Sequence, residues 1–151
     1  MPSFPSCVII KGMDSDKKVL LTGMKPTGRP HIGNYFGAMK QAVDLMGGYT
    51  PHYMMVADYH ALNFIQNCNE MRSLTRELVL DYMAIGLDPE KVVLFKQSDI
   101  SEHTELCWIF DTITTMPYLM RAHAYKDAED KDKELSVGVF NYPMLMAADI
   151  L

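Results

Sequence analysis

The residues whose types and spacing could do chemistry are concentrated between Leu20 and Gly37, in LLTGMKPTGRPHIGNYFG. His31, Gly33 and Asn34 directly follow a turn holding Gly23, Pro26, Gly28 and Pro30, and Lys25 lies within that turn. The first turn of a helix leaves backbone N–H groups unpaired and carries partial positive charge, so this place suits an anion. Glycines at 28 and 33 let a flat or charged ligand approach the backbone, and Pro30 fixes the direction of the loop. Lys25 is a mobile point charge able to reach a phosphate. The stretch matches neither G-x-x-x-x-G-K-[ST] nor G-x-G-x-x-G, so taken by itself it says only that a strand, a loop and a helix could bind phosphate. A lone histidine at a helix start is ordinarily a capping or packing residue.

The elements around these residues follow from periodicity and punctuation. Lys18 to Thr22 is the strand that enters the loop. The helix after it runs from about Asn34 to Met46, with Ile32, Phe36, Met39, Val43 and Met46 as its apolar stripe and Gly47-Gly48 as its stop. A second strand, His52 to Asp58, delivers Asp58-Tyr59-His60 to its carboxyl end, the edge where open α/β sheets bind ligands. Asn69 is placed to cap a helix from Glu70 to Ile85 with the stripe Met71, Leu74, Leu78, Tyr82 and Ile85, ended by Gly86 and Pro89. Val92 to Phe95 makes a third strand. Ser101 then caps a helix with Glu102 and Glu105 in its first turn and Leu106, Ile109, Phe110 and Ile113 as its buried face. Pro117 interrupts, residues 118–123 form a further helical piece, and the charge run 126–133 is a solvated loop. The last segment, FNYPMLMAADIL, reads as a helix after Pro143. Alternating strands and helices predict a Rossmann-like α/β fold, a parallel sheet with helices on both faces. Residues 1–17 form an N-terminal extension, at best a short strand, before a domain spanning 18–151.

Composition sets the outer bounds. The 151 residues are 48% hydrophobic and 22% charged, which describes a globular chain with a real core. No apolar run approaches the roughly 18–20 residues of a membrane helix. The first residues carry no basic segment followed by a long apolar core, which argues against a secretory signal. Cys7, Cys68 and Cys107 fit neither a zinc spacing nor a disulfide framework, so reduced thiols and a cytoplasmic location are expected. A net charge of −5 argues against a dedicated nucleic-acid-binding domain.

His31-Ile32-Gly33-Asn34 resembles the HIGH tetrapeptide of class I aminoacyl-tRNA synthetases. The preceding PTGRP and following NYFGA narrow this to the tryptophanyl and tyrosyl pair. Asp58-Tyr59-His60-Ala61 is similar to the Asp-x-His-Ala segment of these enzymes, and YPMLMAADIL, residues 142–151, to the signature of the tryptophanyl branch. The resemblance implies catalytic roles for His31, Asn34 and Lys25. It implies ATP contacts from Lys25, Thr27, Gly28, His31, Gly33, Asn34 and Lys126. It implies tryptophan contacts from Gly23, His60, Tyr142, Met146 and Asp149. In the family the aspartate accepts the indole N–H, and indole is a donor only. Magnesium would ride on the ATP phosphates, with no metal ligand from the protein.

Two positions depart from the family pattern. Lys25 stands where many bacterial relatives have glutamine. Ala128 stands where a second loop lysine is usual, a place Lys131 or Lys133 would have to fill. The resemblance covers Leu20 to Leu151, about the first half of a typical member. The GxDQ motif, the KMSKS loop and the anticodon-binding region, which would carry most tRNA contact, lie outside it. An N-terminal fragment severely impaired in activation is therefore expected, from an enzyme that is a homodimer with a contact near Leu106 to Met120. The rival readings are tyrosyl specificity, a small HIGH-type nucleotidyltransferase, and an inactive partner-binding fragment.

Overall fold

The computed structural model describes residues 8–11, 18–49, 51–121 and 136–151. They belong to two compact units, Pro5–Asp99 and Ile100–Leu151.

The first unit is built on a four-stranded sheet in the order β1 (Val8–Lys11), β2 (Lys18–Met24), β3 (His52–Val56), β4 (Val93–Lys96). Strand β1 is the short strand expected of the extension, and it pairs antiparallel with β2, Ile10 opposite Val19. The other pairings are parallel: Met24 lies opposite Val56, and Val56 opposite Lys96. Parallel neighbours need crossovers, and the strand order steps in one direction. Right-handed crossovers then place both connecting helices on one face. Those helices are α1 (residues 32–44) and α3 (Cys68–Ala84), and both feed one core. Met39 and Ala42 of α1 meet Met54 and Val56 of β3 and Leu78 and Tyr82 of α3. Between β3 and α3 lies the short helix α2 (Asp58–Ala61).

Helix α1 does not keep the predicted stripe. It starts as Ile32–Asn34, widens into a π-helical turn at Tyr35–Met39 and finishes as Lys40–Asp44. Ile32 and Phe36 are 72% and 60% exposed, whereas Tyr35 packs on the core. The wide turn stacks Lys40 on Tyr35, whose carbonyl accepts the Lys40 N–H, and this takes the upstream residues out of α-helical register. Gly47, at φ 85°, follows the helix as expected.

Helix α3 follows its predicted stripe, with Leu78 and Tyr82 buried. Its cap differs: Asn67, not Asn69, accepts from the N–H groups of Asn69 and Glu70 at 3.0 and 3.1 Å. Asn69 is thereby a first-turn residue. At the other end Gly86 has φ 105°, its N–H donates to Met83 O, and Leu87 N–H donates to Tyr82 O. That pair of bonds closes the helix with a left-handed glycine, and Leu87 joins Tyr82 in the core.

The second unit contains α4 (Glu102–Ile113), α5 (Met116–Leu119) and α6 (Val137–Ile150). Ser101 stands at the cap position of α4, but its hydroxyl lies 3.3 Å from the Glu102 carboxylate and caps no backbone N–H. The predicted buried face of α4 is also corrected. Ile109 and Ile113 are 55% and 73% exposed, and no residue of α4 is fully buried. The face toward α6 is polar instead: His103, Cys107 and Asp111, one turn apart, all contact α6 side chains. Pro117 sits in the first turn of α5 rather than ending a helix, because a first-turn residue needs no N–H donor. Helix α6 starts six residues before Pro143, at Val137, where the Ser136 hydroxyl accepts the Val139 N–H. The charge run 126–133 and residues 122–123 lie outside the described residues.

Candidate active site

Strands β2, β3 and β4 end together on one edge, and three polar segments leave it: the loop 25–30, α2, and the turn Gln97–Asp99. The loop leads to His31, the N-cap of α1, in extended conformation at φ −107° and ψ 174°. The His31 ring and the Asn34 amide cap the helix reciprocally. Gly33 N–H donates to His31 Nδ1 at 3.1 Å, and His31 N–H donates to Asn34 Oδ1 at 3.0 Å. Two N–H groups that the sequence reading left for an anion are thus already satisfied by side chains. In exchange the cap orients the ring, because a neutral imidazole accepting at Nδ1 carries its proton on Nε2. His31 and Gly33 are exposed, so the donor is open to solvent.

Gly33 is required by this arrangement. A Cβ there would stand 3.0 Å from His31 Cε1 and 3.1 Å from Nδ1, in the space the ring occupies. Gly28 has φ 148°, a conformation that side chains disfavour. Lys25 is half-buried, its ammonium 5.2 Å from the centre of the Phe64 ring, and burial lowers its pKa below the ordinary lysine value. Thr27 is exposed in the same loop. Arg29 reaches Glu77 of α3 at 3.3 Å, an exposed pair that guides the loop more than it stabilises it.

On the neighbouring strand end, Asp58 serves the fold. Its Oδ1 accepts from the N–H groups of Tyr59 and Ser98 at 3.1 and 3.0 Å, and its Oδ2 accepts from the Ser98 hydroxyl. This carboxylate ties the end of β3 to the end of β4. His60 is buried, and its N–H donates to the fully buried Gln97 Oε1 at 3.4 Å. Ser98 and Gln97 were not singled out in the sequence, where they read only as polar residues after a strand. Gly23 lies opposite Met55, and a Cβ on it would come within 3.3 Å of Met55 Cε. A cleft of about 460 Å³ opens between α3 and β4, lined by Val56, Asp58, Arg72, Arg76, Leu94 and Lys96 among others, but by none of the predicted site residues.

In the second unit, Tyr142, Met146 and Asp149 fall on one side of α6, at successive turns. Tyr142 and Met146 are half-buried, and the Asp149 side chain is only 2% exposed. His103 of α4 brings Nδ1 to 3.0 Å from Asp149 Oδ1. Further along the same helix pair, Asn141 Nδ2 donates to Asp111 Oδ2 at 2.7 Å and the Thr114 hydroxyl to Met144 Sδ at 3.2 Å. Burial, and then the charges of Asp111 and Asp149, push the Cys107 thiol up to about 11, so it stays neutral. His103 was missed in the sequence, because nothing in SEHTEL points to a partner on another helix. Gly23 and His60 belong to the first unit, Tyr142, Met146 and Asp149 to the second. Lys126 lies outside the described residues, as do Ala128, Lys131 and Lys133.

Comparison with known proteins adds to this geometry. The family model described as tRNA synthetases class I (W and Y) matches residues 13–151. A tryptophan–tRNA ligase from Fusobacterium nucleatum subsp. nucleatum is 49% identical over 131 residues, covering 87% of this chain and 40% of that protein. A tryptophan–tRNA ligase from Rhodopirellula baltica is 48% identical over 132 residues, 87% of this chain and 41% of its own length. The crystal structure of tryptophanyl-tRNA synthetase from Campylobacter jejuni superposes with a TM-score of 0.80 at 44% identity, over 88% of this chain and 41% of that one. A second Campylobacter jejuni structure, complexed with ADP and tryptophan, gives 0.79. The chain spans about 40% of the length of these relatives.

Proposed function

The chain belongs to the class I tRNA synthetases of the tryptophan and tyrosine type, and we propose that it is the amino-terminal part of a tryptophan–tRNA ligase. The reaction is ATP-dependent activation of tryptophan followed by transfer to tRNA, with Mg²⁺ carried on the phosphates. Attack of the amino-acid carboxylate on the α-phosphate spreads negative charge over phosphoryl oxygens, and fixed donors stabilise that charge. His31 Nε2–H, the Asn34 amide and the Lys25 ammonium are the donors proposed for this role, with Thr27, Gly28, Gly33 and Lys126 as further ATP contacts. Their chemistry fits a triphosphate: one cation, one oriented imidazole N–H, and a backbone left open by glycine.

On the first unit Gly23 and His60 are the proposed amino-acid contacts; on the second, Tyr142, Met146 and Asp149. Most contact with tRNA is assigned to parts of the enzyme beyond these residues. A homodimer and a cytoplasmic location belong to the same proposal. The exposed Trp108, Ile109, Ile113 and Met116 offer an apolar surface for a second copy.

The observation that carries the reading is the buried Asp149 carboxylate on α6, one and two turns beyond Met146 and Tyr142. A carboxylate here rewards a ligand that donates an N–H and penalises one that does not. Phenylalanine would leave it unsatisfied, at a cost of roughly 1–3 kcal/mol. Calorimetry of this chain with tryptophan, phenylalanine and tyrosine tests it. Tryptophan should bind best, and Asp149→Ala should abolish its advantage over phenylalanine. Tyrosine binding better than tryptophan, or a preference that survives Asp149→Ala, would decide against tryptophan specificity.

A further inference from the structure

Asp149 does not stand alone, and its neighbour has no role in the reading so far. The carboxylate is almost wholly buried, and a buried charge is costly unless other groups satisfy its oxygens. Its Oδ1 lies 3.0 Å from His103 Nδ1, on a ring whose side chain is 11% exposed. An ionised carboxylate only accepts, so a productive contact needs the proton on Nδ1. His103 is the second residue of α4, so the positive end of that helix adds to the attraction. Asp111, the other carboxylate of this helix pair, is held by Asn141 instead, so the two acids have different partners.

We propose that His103 is a positioning residue for Asp149: it holds Oδ1 so that Oδ2 is presented as the acceptor of the indole N–H. The inference rests on the reading of Asp149 given above and adds a specificity determinant on a separate helix. The chemical class it selects is an amino acid with an aromatic N–H donor. A flat aromatic of equal size without that donor gains nothing from the arrangement. This distinguishes positioning from simple helix pinning, since a pin would affect both ligands alike.

The test pairs tryptophan with 3-benzothienylalanine, in which sulfur replaces the N–H. Dissociation constants are measured by calorimetry on this chain and on three variants. The unaltered chain should favour tryptophan by about tenfold, the size expected of one buried charge-assisted hydrogen bond. Asp149→Asn should bring the ratio close to one. His103→Leu should cut it about fivefold while leaving benzothienylalanine binding nearly unchanged. His103→Asn, whose amide nitrogen can stand in for Nδ1, should restore most of it.

Equal weakening of both ligands by His103→Leu, or identical behaviour of the Leu and Asn variants, would reduce His103 to a helix pin and overturn the inference. A ratio unmoved by Asp149→Asn would instead overturn the reading of Asp149, and the inference with it. Should His103→Leu fail to fold, ¹⁵N spectra of the imidazole in the unaltered chain decide the point. They should show the proton on Nδ1, with a resonance that moves in Asp149→Asn. A ring protonated only on Nε2 would overturn the inference.

Discussion

Asn34 and Asp149 are both polar side chains on helices, and their positions are fixed in opposite ways. Asn34 is set by the backbone of His31, three residues earlier, so the nucleotide-side cap is complete within one turn of chain. Asp149 is set by His103 on another helix, with a long stretch of sequence between them. The first arrangement is exposed and local, the second buried and dependent on packing. A local cap can be altered with little effect on global stability, because exposed capping bonds contribute modestly and water can replace them. A buried pair cannot lose one partner without stranding the other. Activity and stability should therefore separate at the His31 cap and travel together wherever a carboxylate ties distant segments.

Asp58 offers the sharpest way to break that comparison, because it sits on the site edge of the sheet yet behaves as a distant tie. Three donors from Tyr59 and Ser98 converge on it. Asp58→Ala strands them at the ends of β3 and β4 and should cost about 2–3 kcal/mol in urea unfolding. Asp58→Asn, which keeps an acceptor oxygen, should cost less. A loss below about 0.5 kcal/mol for the alanine variant would mean that the strand ends hold without the tie.

The same division decides what could be read from sequence. Patterns that concern one element survive: the stripe Leu78–Tyr82 of α3, the left-handed Gly86 at its end, and the strand–loop–helix order around His31. Features that depend on a partner do not. Apolar Ile109 and Ile113 looked inward because a helix usually buries its apolar stripe, but α4 turns His103, Cys107 and Asp111 toward α6. The stripe of α1 failed for a local reason, a π-helical turn that no period of 3.6 anticipates. Asn67 and Asn69 are equally good caps by residue type, and only the observed bonds choose between them. Pro143 suggested a start, yet α6 accommodates it in its interior.

A smaller effect is expected at the amino end of β3. His52 is 1% exposed, and its Nε2 is 3.2 Å from the Thr22 hydroxyl. Its Nδ1 has no partner among the described residues. Burial lowers its pKa below the model-compound value of 6.5, so the folded chain favours the neutral ring. Above the unfolded pKa both states are neutral and the stability is intact. As pH falls through about 6.5 the unfolded chain takes up the proton first, and stability declines until the folded pKa is reached. Between pH 7 and pH 5 this should cost about 1 kcal/mol. His52→Gln should flatten that acid slope relative to the unaltered chain, whatever it does to stability at pH 7. An unchanged slope would assign the acid loss to other histidines.

Gly33→Ala has the smallest expected effect on stability, and it tests the local side of the comparison directly. Alanine is the better helix former by about 1 kcal/mol. Against this, its Cβ would meet the His31 ring at 3.0–3.1 Å, and an exposed ring can yield only by swinging away and releasing its hold on the Gly33 N–H. Losing such a cap costs about 0.5–2 kcal/mol, so the two terms nearly cancel and the unfolding midpoint should hardly move. The site should respond differently. Once Nδ1 no longer accepts, nothing fixes the proton on Nε2, and the donor facing the nucleotide loses its orientation. Magnesium-ATP affinity, read by calorimetry, should fall about three- to tenfold, the loss of one oriented hydrogen bond to a charged group. A variant that keeps full affinity would show that the cap serves the helix alone. A variant that unfolds by more than about 2 kcal/mol would show that the first turn of α1 is no local feature.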